Sequence, residues 1–284
     1  MPNQVKARLQ SNRKVGEYHH LVLAGEKIAD GVKPGHFVSI AIGDTNSPMV
    51  TRRAFSIHRA TPMTAHGSTL EIVVHPHGTG TDWLAAQEVG TTIDVISPLG
   101  KPFALPKNPV SCLLVAGGYG SAPMTFLAEE LTARGCQVDM VFGAGTESKL
   151  FDVLAAKRIA RFFEVTTDDG SSGVKGRVSD VIPNMFLNGH TAVVYACGPM
   201  PMLESVAALA KQRNIVSQVA VEESMACGIG VCMTCVLPIV GDDGITRMTR
   251  SCVDGPVFRG DRVRWDDLGT VPDDCLGAPK VGGH

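Results

Sequence analysis

Ser111-Cys112-Leu113-Leu114-Val115-Ala116-Gly117-Gly118-Tyr119-Gly120-Ser121-Ala122-Pro123 is the stretch whose reading decides the fold. Its first six residues are short, apolar and partly β-branched, the composition of a strand buried on both faces. The glycines then make a turn. Pro123 falls near the first turn of a helix predicted over Met124 to Arg134, with Gly135 as its stop. A strand, a Gly-rich turn and a helix N-terminus in this order form a phosphate cradle, because unpaired N–H groups and the helix dipole converge there. The pattern is G-G-x-G-x-x-P, a relative of the dinucleotide fingerprint G-x-G-x-x-G rather than a copy of it.

Working outward towards the C-terminus, further strands are predicted at Gln137 to Phe142, Phe162 to Thr166 and Thr191 to Ala196, with helices near Lys149 to Arg161 and Met202 to Arg213. This alternation implies a doubly wound, mostly parallel sheet, in which ligands lie beyond the carboxyl ends of the strands. The strand-end segments Gly143 to Thr146, Thr167-Asp168-Asp169-Gly170-Ser171 and Cys197-Gly198-Pro199-Met200 are therefore site candidates. Asp168 and Asp169 fit either a ribose contact or a turn cap. Cys197 fits either contact with a bound ring or a small core thiol. Cys112 and Cys136 read as core, and Cys275, in a tail rich in Gly, Asp and Pro beyond Trp265, as an exposed thiol in loosely ordered chain.

Towards the N-terminus the texture changes near Pro106. His36 to Ile42 and Leu70 to Val74 are β-branched or alternating runs, and Val32-Lys33-Pro34-Gly35 and Ser97-Pro98-Leu99-Gly100 are turns. Short strands at this spacing predict a small antiparallel β-barrel. Within it, Arg52-Arg53-Ala54-Phe55-Ser56-Ile57 places cation, aromatic ring and hydroxyl on one extended segment. Such a segment can set a cation on a phosphate while edging a flat ring; an edge strand with solvated arginines is the alternative. His77-Gly78-Thr79-Gly80-Thr81-Asp82-Trp83 leads into a short helix, and reads either as an anion site or as a plain N-cap by Thr81.

The C-terminal part is organised by Cys227, Cys232, Cys235 and Cys252, spaced C-x4-C-x2-C with sixteen residues before the last. This is the plant-type spacing for a [2Fe–2S] cluster. Gly228 and Gly230 inside the first gap let the loop turn tightly and bring N–H groups to the sulfurs. A closed tetrahedral zinc site is the other chemistry open to four cysteines. From there to the end the module is mildly acidic, and Val236 to Val240 with Ile245 to Arg250 read as a hairpin returning the chain to Cys252.

Length and composition bound the rest. The 284 residues suffice for three domains, expected at 1–106 (barrel), 107–215 (nucleotide-binding) and 216–284 (cluster module with a loose tail). A net charge of −2 supplies no basic field for nucleic acid. No apolar run approaches membrane-spanning length and no secretory signal is read at Met1 to Lys6, so a soluble cytoplasmic protein is expected. Eight cysteines at these spacings argue for metal ligation in a reducing compartment over a disulfide framework. The nine histidines show no helical ligand spacing, so no metal role is assigned to them.

On these residues the chain resembles the ferredoxin-reductase superfamily, and within it the electron-transfer subunits of NAD-linked dihydroorotate dehydrogenases. In the superfamily an R-x-[YF]-S segment lies along FAD, and Arg53-Ala54-Phe55-Ser56 is similar to it. Gly80-Thr81 matches the pyrophosphate loop; Val73, Val74 and His75, just ahead of it, are counted with the cofactor-binding segments. Pro98-Leu99-Gly100 matches a G-P-L-G turn with Ser97 in place of the usual Gly. The run containing Gly117, Gly118 and Gly120, together with Cys197-Gly198-Pro199-Met200, is similar to the nicotinamide-nucleotide motifs. The order of the three domains, with Thr167 to Ser171 and Asp254-Gly255-Pro256-Val257-Phe258, points to the electron-transfer subunits, which usually carry R-R-P-[IL]-S where this chain has Arg52 to Ser56.

The resemblance implies FAD between barrel and nucleotide domain, NAD at the Gly-rich turn with its nicotinamide near Cys197, and a [2Fe–2S] cluster on the four cysteines. It implies a partner chain that oxidises dihydroorotate on FMN in pyrimidine biosynthesis, in a heterotetramer of two of each chain. NAD over NADP rests on the resemblance alone, since no Asp or Glu closes the second strand of the nucleotide domain. Two other readings fit the residues. One is a flavin/iron–sulfur subunit of a ferredoxin-dependent NADP reductase or sulfide dehydrogenase complex; the other is a zinc-stapled redox sensor without flavin.

Overall fold

A computed structural model describes residues 2–43, 49–64 and 67–278. In the N-terminal part, β1 (Asn3–Val15), β2 (Tyr18–Ala24), β3 (Phe37–Ile40), β4 (Arg53–Thr64), β5 (Gly67–Val74) and β6 (Thr92–Leu99) alternate apolar and polar residues. Period-two alternation sends Leu21 and Leu23, Leu70, Ile72 and Val74, and Ile93 and Val95 to one buried face. The strands wrap that face into a closed antiparallel barrel in the order β1-β2-β5-β4-β3-β6. β4 lies between β5 and β3, but Arg53 to Ser56 pair with β3 alone, and β5 joins only from Ile57, so this segment's other side faces the cleft. Arg52 is not solvated: it donates to Asp94 at 2.5 Å and to the Ser39 carbonyl at 3.2 Å. A short helix, α1 (Thr79–Ala85), crosses from β5 to β6.

The middle of the chain alternates strand and helix, with β10, α4 and β12 added to the elements its patterning predicts: β7 (Ser111–Gly117), α2 (Ala122–Ala133), β8 (Gln137–Ala144), α3 (Val153–Ile159), β9 (Phe163–Thr167), β10 (Val174–Lys175), α4 (Val178–Gly189), β11 (Val193–Cys197), α5 (Met200–Gln212) and β12 (Val216–Ala220). The last part adds the hairpin β13 (Val236–Val240) and β14 (Thr246–Arg250), then β15 (Val257–Arg259). The sheet order is β10-β9-β8-β7-β11-β12-β15, parallel throughout except for β15. Strand order reverses between β7 and β11, so the crevice at their carboxyl ends is where a doubly wound sheet takes its ligand.

Two boundaries differ from the sequence expectation. The nucleotide-binding sheet does not stop at residue 215: β12 pairs along its length with β11, from Val193↔Val216 to Cys197↔Ala220, and β15 joins the same sheet from within the cluster module. The chain beyond Trp265 is not loose through Ala278. Leu276 N–H donates to the Thr246 carbonyl at 2.9 Å, Arg264 bonds Asp274, and Cys275 is buried rather than exposed. Residues 279–284 lie outside the described chain.

In β8, Asp139 is fully buried and accepts from Arg161 Nε at 3.0 Å, Arg161 Nη2 at 2.6 Å and Phe162 N–H at 3.2 Å. Arg161→Met leaves that carboxylate buried and unpaired, and is expected to cost about 3–5 kcal/mol. The Asp139→Asn/Arg161→Met pair removes the charge as well and recovers part of the loss. The midpoints of chemical denaturation of the two variants check this, and equal midpoints contradict it.

Candidate functional site

Barrel and sheet face each other across a cleft of about 930 Å³ that reaches the switch point between β7 and β11. A groove of about 650 Å³ continues from it, past Arg53 and Gly78 to Thr81, as far as Ala226 and Thr234 in the cysteine loop. The two share Ala54, Phe55, Val73, His75, Tyr119 and Glu222.

The glycines at the switch point are required by how closely its two turns approach. A Cβ on Gly120 would stand 2.4 Å from the Cys197 carbonyl oxygen, and one on Gly117 would stand 2.8 Å from Pro199 Cδ. At Gly198 it would meet Gly117 N at 2.9 Å. Contact between the turns leaves the cleft wall as bare backbone that a flat ring or a pyrophosphate can approach. Thr166 adds a buried hydroxyl with no hydrogen-bond partner, on the same cleft. These features fit a nucleotide cofactor.

Of the residues singled out from sequence, Arg53, Ala54, Phe55, Ser56, Val73, His75, Gly80, Thr81, Gly117, Gly118, Gly120, Cys197, Gly198 and Pro199 line the cleft or its groove. Arg53 lies against Gly80, where a Cβ would come within 3.0 Å of its Nε. Thr81 is not the helix cap: it sits inside α1, accepts from His77 N–H at 3.1 Å and donates to the Gly78 carbonyl at 3.0 Å. Val74 is not on the cleft, because its odd-even partner Val73 takes that face and Val74 is sealed in the barrel core. The aspartate pair divides. Asp168 lines the cleft, whereas Asp169 turns to solvent and caps a turn through Ser171 N–H at 2.9 Å and Ser171 Oγ at 2.6 Å. Cys197 lines the cleft and is also buried, which pushes its thiol up to about 12. It is a neutral contact there, not a nucleophile.

Tyr119 and Glu222 were not paired by sequence reasoning. Tyr119 donates to the Glu222 carboxylate across the cleft, joining the Gly-rich turn to the start of the cysteine loop. Burial raises the Glu222 carboxyl, with His77 opposing. Lys149 and Arg177 also reach the cleft from loops that carry no motif.

Cys232 N–H bonds the Cys227 sulfur, and Cys235 and Cys252 are buried together in one cluster. Cys227 Sγ accepts from the N–H groups of Ile229 at 3.4 Å, Val231 at 3.3 Å and Cys232 at 3.5 Å. Cys232 Sγ accepts from the Thr234 hydroxyl at 3.2 Å, and such bonds draw its thiol down to about 6. The inner pair is buried against Phe37 and Leu99 of the barrel, and burial pushes Cys252 up to about 12. Gly228 and Gly230 have φ of +70° and +85°, the left-handed backbone the tight loop needs. Among the described residues, no three of these sulfurs lie within 4.8 Å of one another. Four thiolates on one zinc, with Zn–S bonds of about 2.3 Å, would all lie within about 3.8 Å of each other. Two adjacent pairs suit two irons, each held by two cysteines.

Thr234→Val keeps the shape at Cys232 but removes its hydroxyl donor. Hydrogen bonds to the sulfurs favour the more negative, reduced cluster. The variant is therefore expected to keep its iron and to show a midpoint potential tens of millivolts more negative in an EPR-monitored redox titration, whereas Cys252→Ser loses iron.

Comparison with known proteins agrees with this geometry. Residues 222–264 match the family described as the iron–sulfur cluster binding domain of dihydroorotate dehydrogenase B, and residues 114–208 match the oxidoreductase NAD-binding domain. A chain from the structure of NADH-dependent reduced ferredoxin-NADP oxidoreductase superposes with a TM-score of 0.81 at 29% identity, covering 93% of this chain and 91% of that one. The dihydroorotate dehydrogenase B (NAD(+)) electron transfer subunit of Desulforamulus reducens is 33% identical over 82% of this chain and 87% of its own. The corresponding subunit of Bacillus caldolyticus is 35% identical over 93% of this chain and 99% of its own length. With alignment at that identity running almost end to end, the chain belongs to the family of dihydroorotate dehydrogenase B electron-transfer subunits.

Proposed function

We propose that this chain carries electrons between NAD and a partner subunit that oxidises dihydroorotate, through FAD and a [2Fe–2S] cluster. The observation that carries the reading is the convergence of Cys227 with Cys232, and of Cys235 with Cys252, beside the groove that reaches Ala226 and Thr234. When bound, the flavin exchanges a hydride with the nicotinamide and single electrons with the cluster.

The chain's own residues position and insulate. Arg53, with Gly80 and Thr81, holds the flavin pyrophosphate, while Ala54, Phe55, Ser56, Val73 and His75 edge the ring. Val74 contributes to that strand from the core side. Gly117, Gly118 and Gly120 take the NAD pyrophosphate, Gly198 and Pro199 the nicotinamide end, and Asp168 a ribose hydroxyl. Cys197 packs its neutral thiol against the ring. No acid–base residue is required, because proton and hydride chemistry belong to the cofactors.

Electrons are exchanged with the partner at the outer cysteine pair. Ile229, Val231 and Met233 stand exposed around Cys232, and a partner covering them would dry the path. We assign that partner an FMN, two copies of each chain to the complex, and the cytoplasm as its place. Eight free cysteines among the described residues suit a reducing compartment, and no described helix is long and apolar enough to cross a membrane.

The test is the purified chain under anaerobic conditions. It should hold about two irons, show flavin and iron–sulfur absorption, and bleach with NADH. Mixed with its dihydroorotate-oxidising partner, it should then reduce NAD at the expense of dihydroorotate. A colourless protein with one zinc overturns the reading. The likeness to the NADH-dependent reduced ferredoxin-NADP oxidoreductase favours one second reading. In that case reduced ferredoxin, and not dihydroorotate, drives nicotinamide reduction.

A further inference from the structure

Outside the cleft, on the flank of the barrel that meets the nucleotide-binding domain, three barrel strands bring His20, His58 and Glu71 together. One ligand atom from each lies within 4.8 Å of the other two. In the β2–β5 ladder His20 pairs with Val73 and Val22 with Glu71, which makes His20 and Glu71 diagonal neighbours on one face. Their side chains meet at 2.7 Å, from His20 Nε2 to Glu71 Oε2. In the β4–β5 ladder the register slips between Ile57 and Arg59, so His58 is the extra residue of a β-bulge. Bulges re-aim a side chain, and this one turns His58 out of the barrel towards the other two. Asp152, at the cap of α3, brings its Oδ2 to 4.0 Å from His58 Nε2.

The histidine most buried is held as a metal ligand is held. His58 Nδ1 lies 2.6 Å from the Ala122 carbonyl, which can only accept, so the proton sits on Nδ1 and the Nε2 lone pair faces the cluster. Burial keeps the ring neutral, with the Ala122 bond and Asp152 opposing. The group is reachable as well as sheltered: His58 is 8% exposed, His20 13%, Glu71 19% and Asp152 20%. Two imidazoles and one carboxylate, with a fourth position left for water, match the donor preference of a divalent ion of the zinc class. A tetrahedral ion with bonds of about 2.0–2.2 Å needs donors about 3.3–3.6 Å apart, within rotamer adjustment of the distances present.

We propose that His20, His58 and Glu71 form a binding site for a divalent transition-metal ion of the zinc class, on the flank where the flavin barrel meets the nucleotide-binding domain. All three ligands come from barrel strands, and Asp152 at the cap of α3 faces His58 from the nucleotide-binding domain. Ala122, which orients His58, opens α2 directly after the turn carrying Gly117 to Gly120. An ion here would stiffen the flank of the barrel that Ala122 and Asp152 meet from the nucleotide-binding domain.

The test uses the chain loaded with iron and flavin, dialysed against zinc and then against zinc-free buffer, with both metals counted by mass spectrometry. The expected result is about one zinc per chain with iron unchanged, and a rise in melting temperature on adding zinc. His20→Gln and Glu71→Gln alter partly exposed positions and should keep flavin and iron while losing roughly tenfold or more in zinc affinity. Absence of zinc in the wild type overturns the proposal. So does zinc taken up equally by the variants, which makes the cluster a hydrogen-bond network only, and so does zinc that replaces iron, which places it on the cysteines.

Discussion

Three strand ends meet at one backbone junction, and the site depends on it. Gly100 closes the barrel with φ of +77°, and a Cβ there would fall 2.7 Å from Pro256 Cδ and 2.8 Å from the Gly255 carbonyl oxygen. Lys101 N–H donates to the Gly255 carbonyl at 2.5 Å, and Val221 N–H, just past β12, donates to the Pro256 carbonyl at 2.9 Å. Barrel, sheet and cluster module are thus joined by main-chain bonds whose geometry only a glycine at Gly100 allows. Phe103 N–H, bonded to the Pro34 carbonyl at 2.9 Å, closes the same corner from the barrel side.

The junction makes the cysteine loop part of the scaffold rather than a tethered domain. The chain enters it from β12 and returns by β15 to the same sheet. The inner cysteines are then clamped between that sheet and Phe37 and Leu99 of the barrel, while Cys227 and Cys232 stay nearer the surface. Electron transfer is sensitive to distance, and a loop fixed at both ends holds one. The gradient from buried to exposed sulfur also runs the path between the cleft and the surface.

What was legible in the sequence was local. The strand–turn–helix at Ser111 to Pro123, the alternation in the barrel strands and the 4–2–16 cysteine spacing each declare themselves within a few residues, and each is present in the structure. What was hidden was long-range or masked. Helix α4 has an apolar face at Val178, Ile182, Met185 and Phe186, but Pro183 inside it breaks the helical reading. β12 is too short to separate from the loop that follows it. Tyr119 and Glu222 stand 103 residues apart, and the His20, His58 and Glu71 group comes from three strands with no spacing rule between them. Cys275 shows that residue type does not decide exposure; the packing of distant chain does.

The same logic explains why one residue type serves opposite chemistries in this protein. Cys197 and Cys232 are both free thiols, yet burial pushes the first up to about 12 while hydrogen bonds from Thr234 draw the second down to about 6. A thiolate on the cleft wall would be a nucleophile beside a reactive ring and a fixed negative charge against it. The apolar end of β11 supplies no donor to stabilise one, so the thiol stays neutral. At the loop the requirement is reversed, because a metal ligand must be a thiolate. There the tight glycine turns aim N–H groups at Cys227, and Thr234 aims its hydroxyl at Cys232. Hydrogen-bond donors from the loop, absent at the end of β11, separate the outer thiols from Cys197.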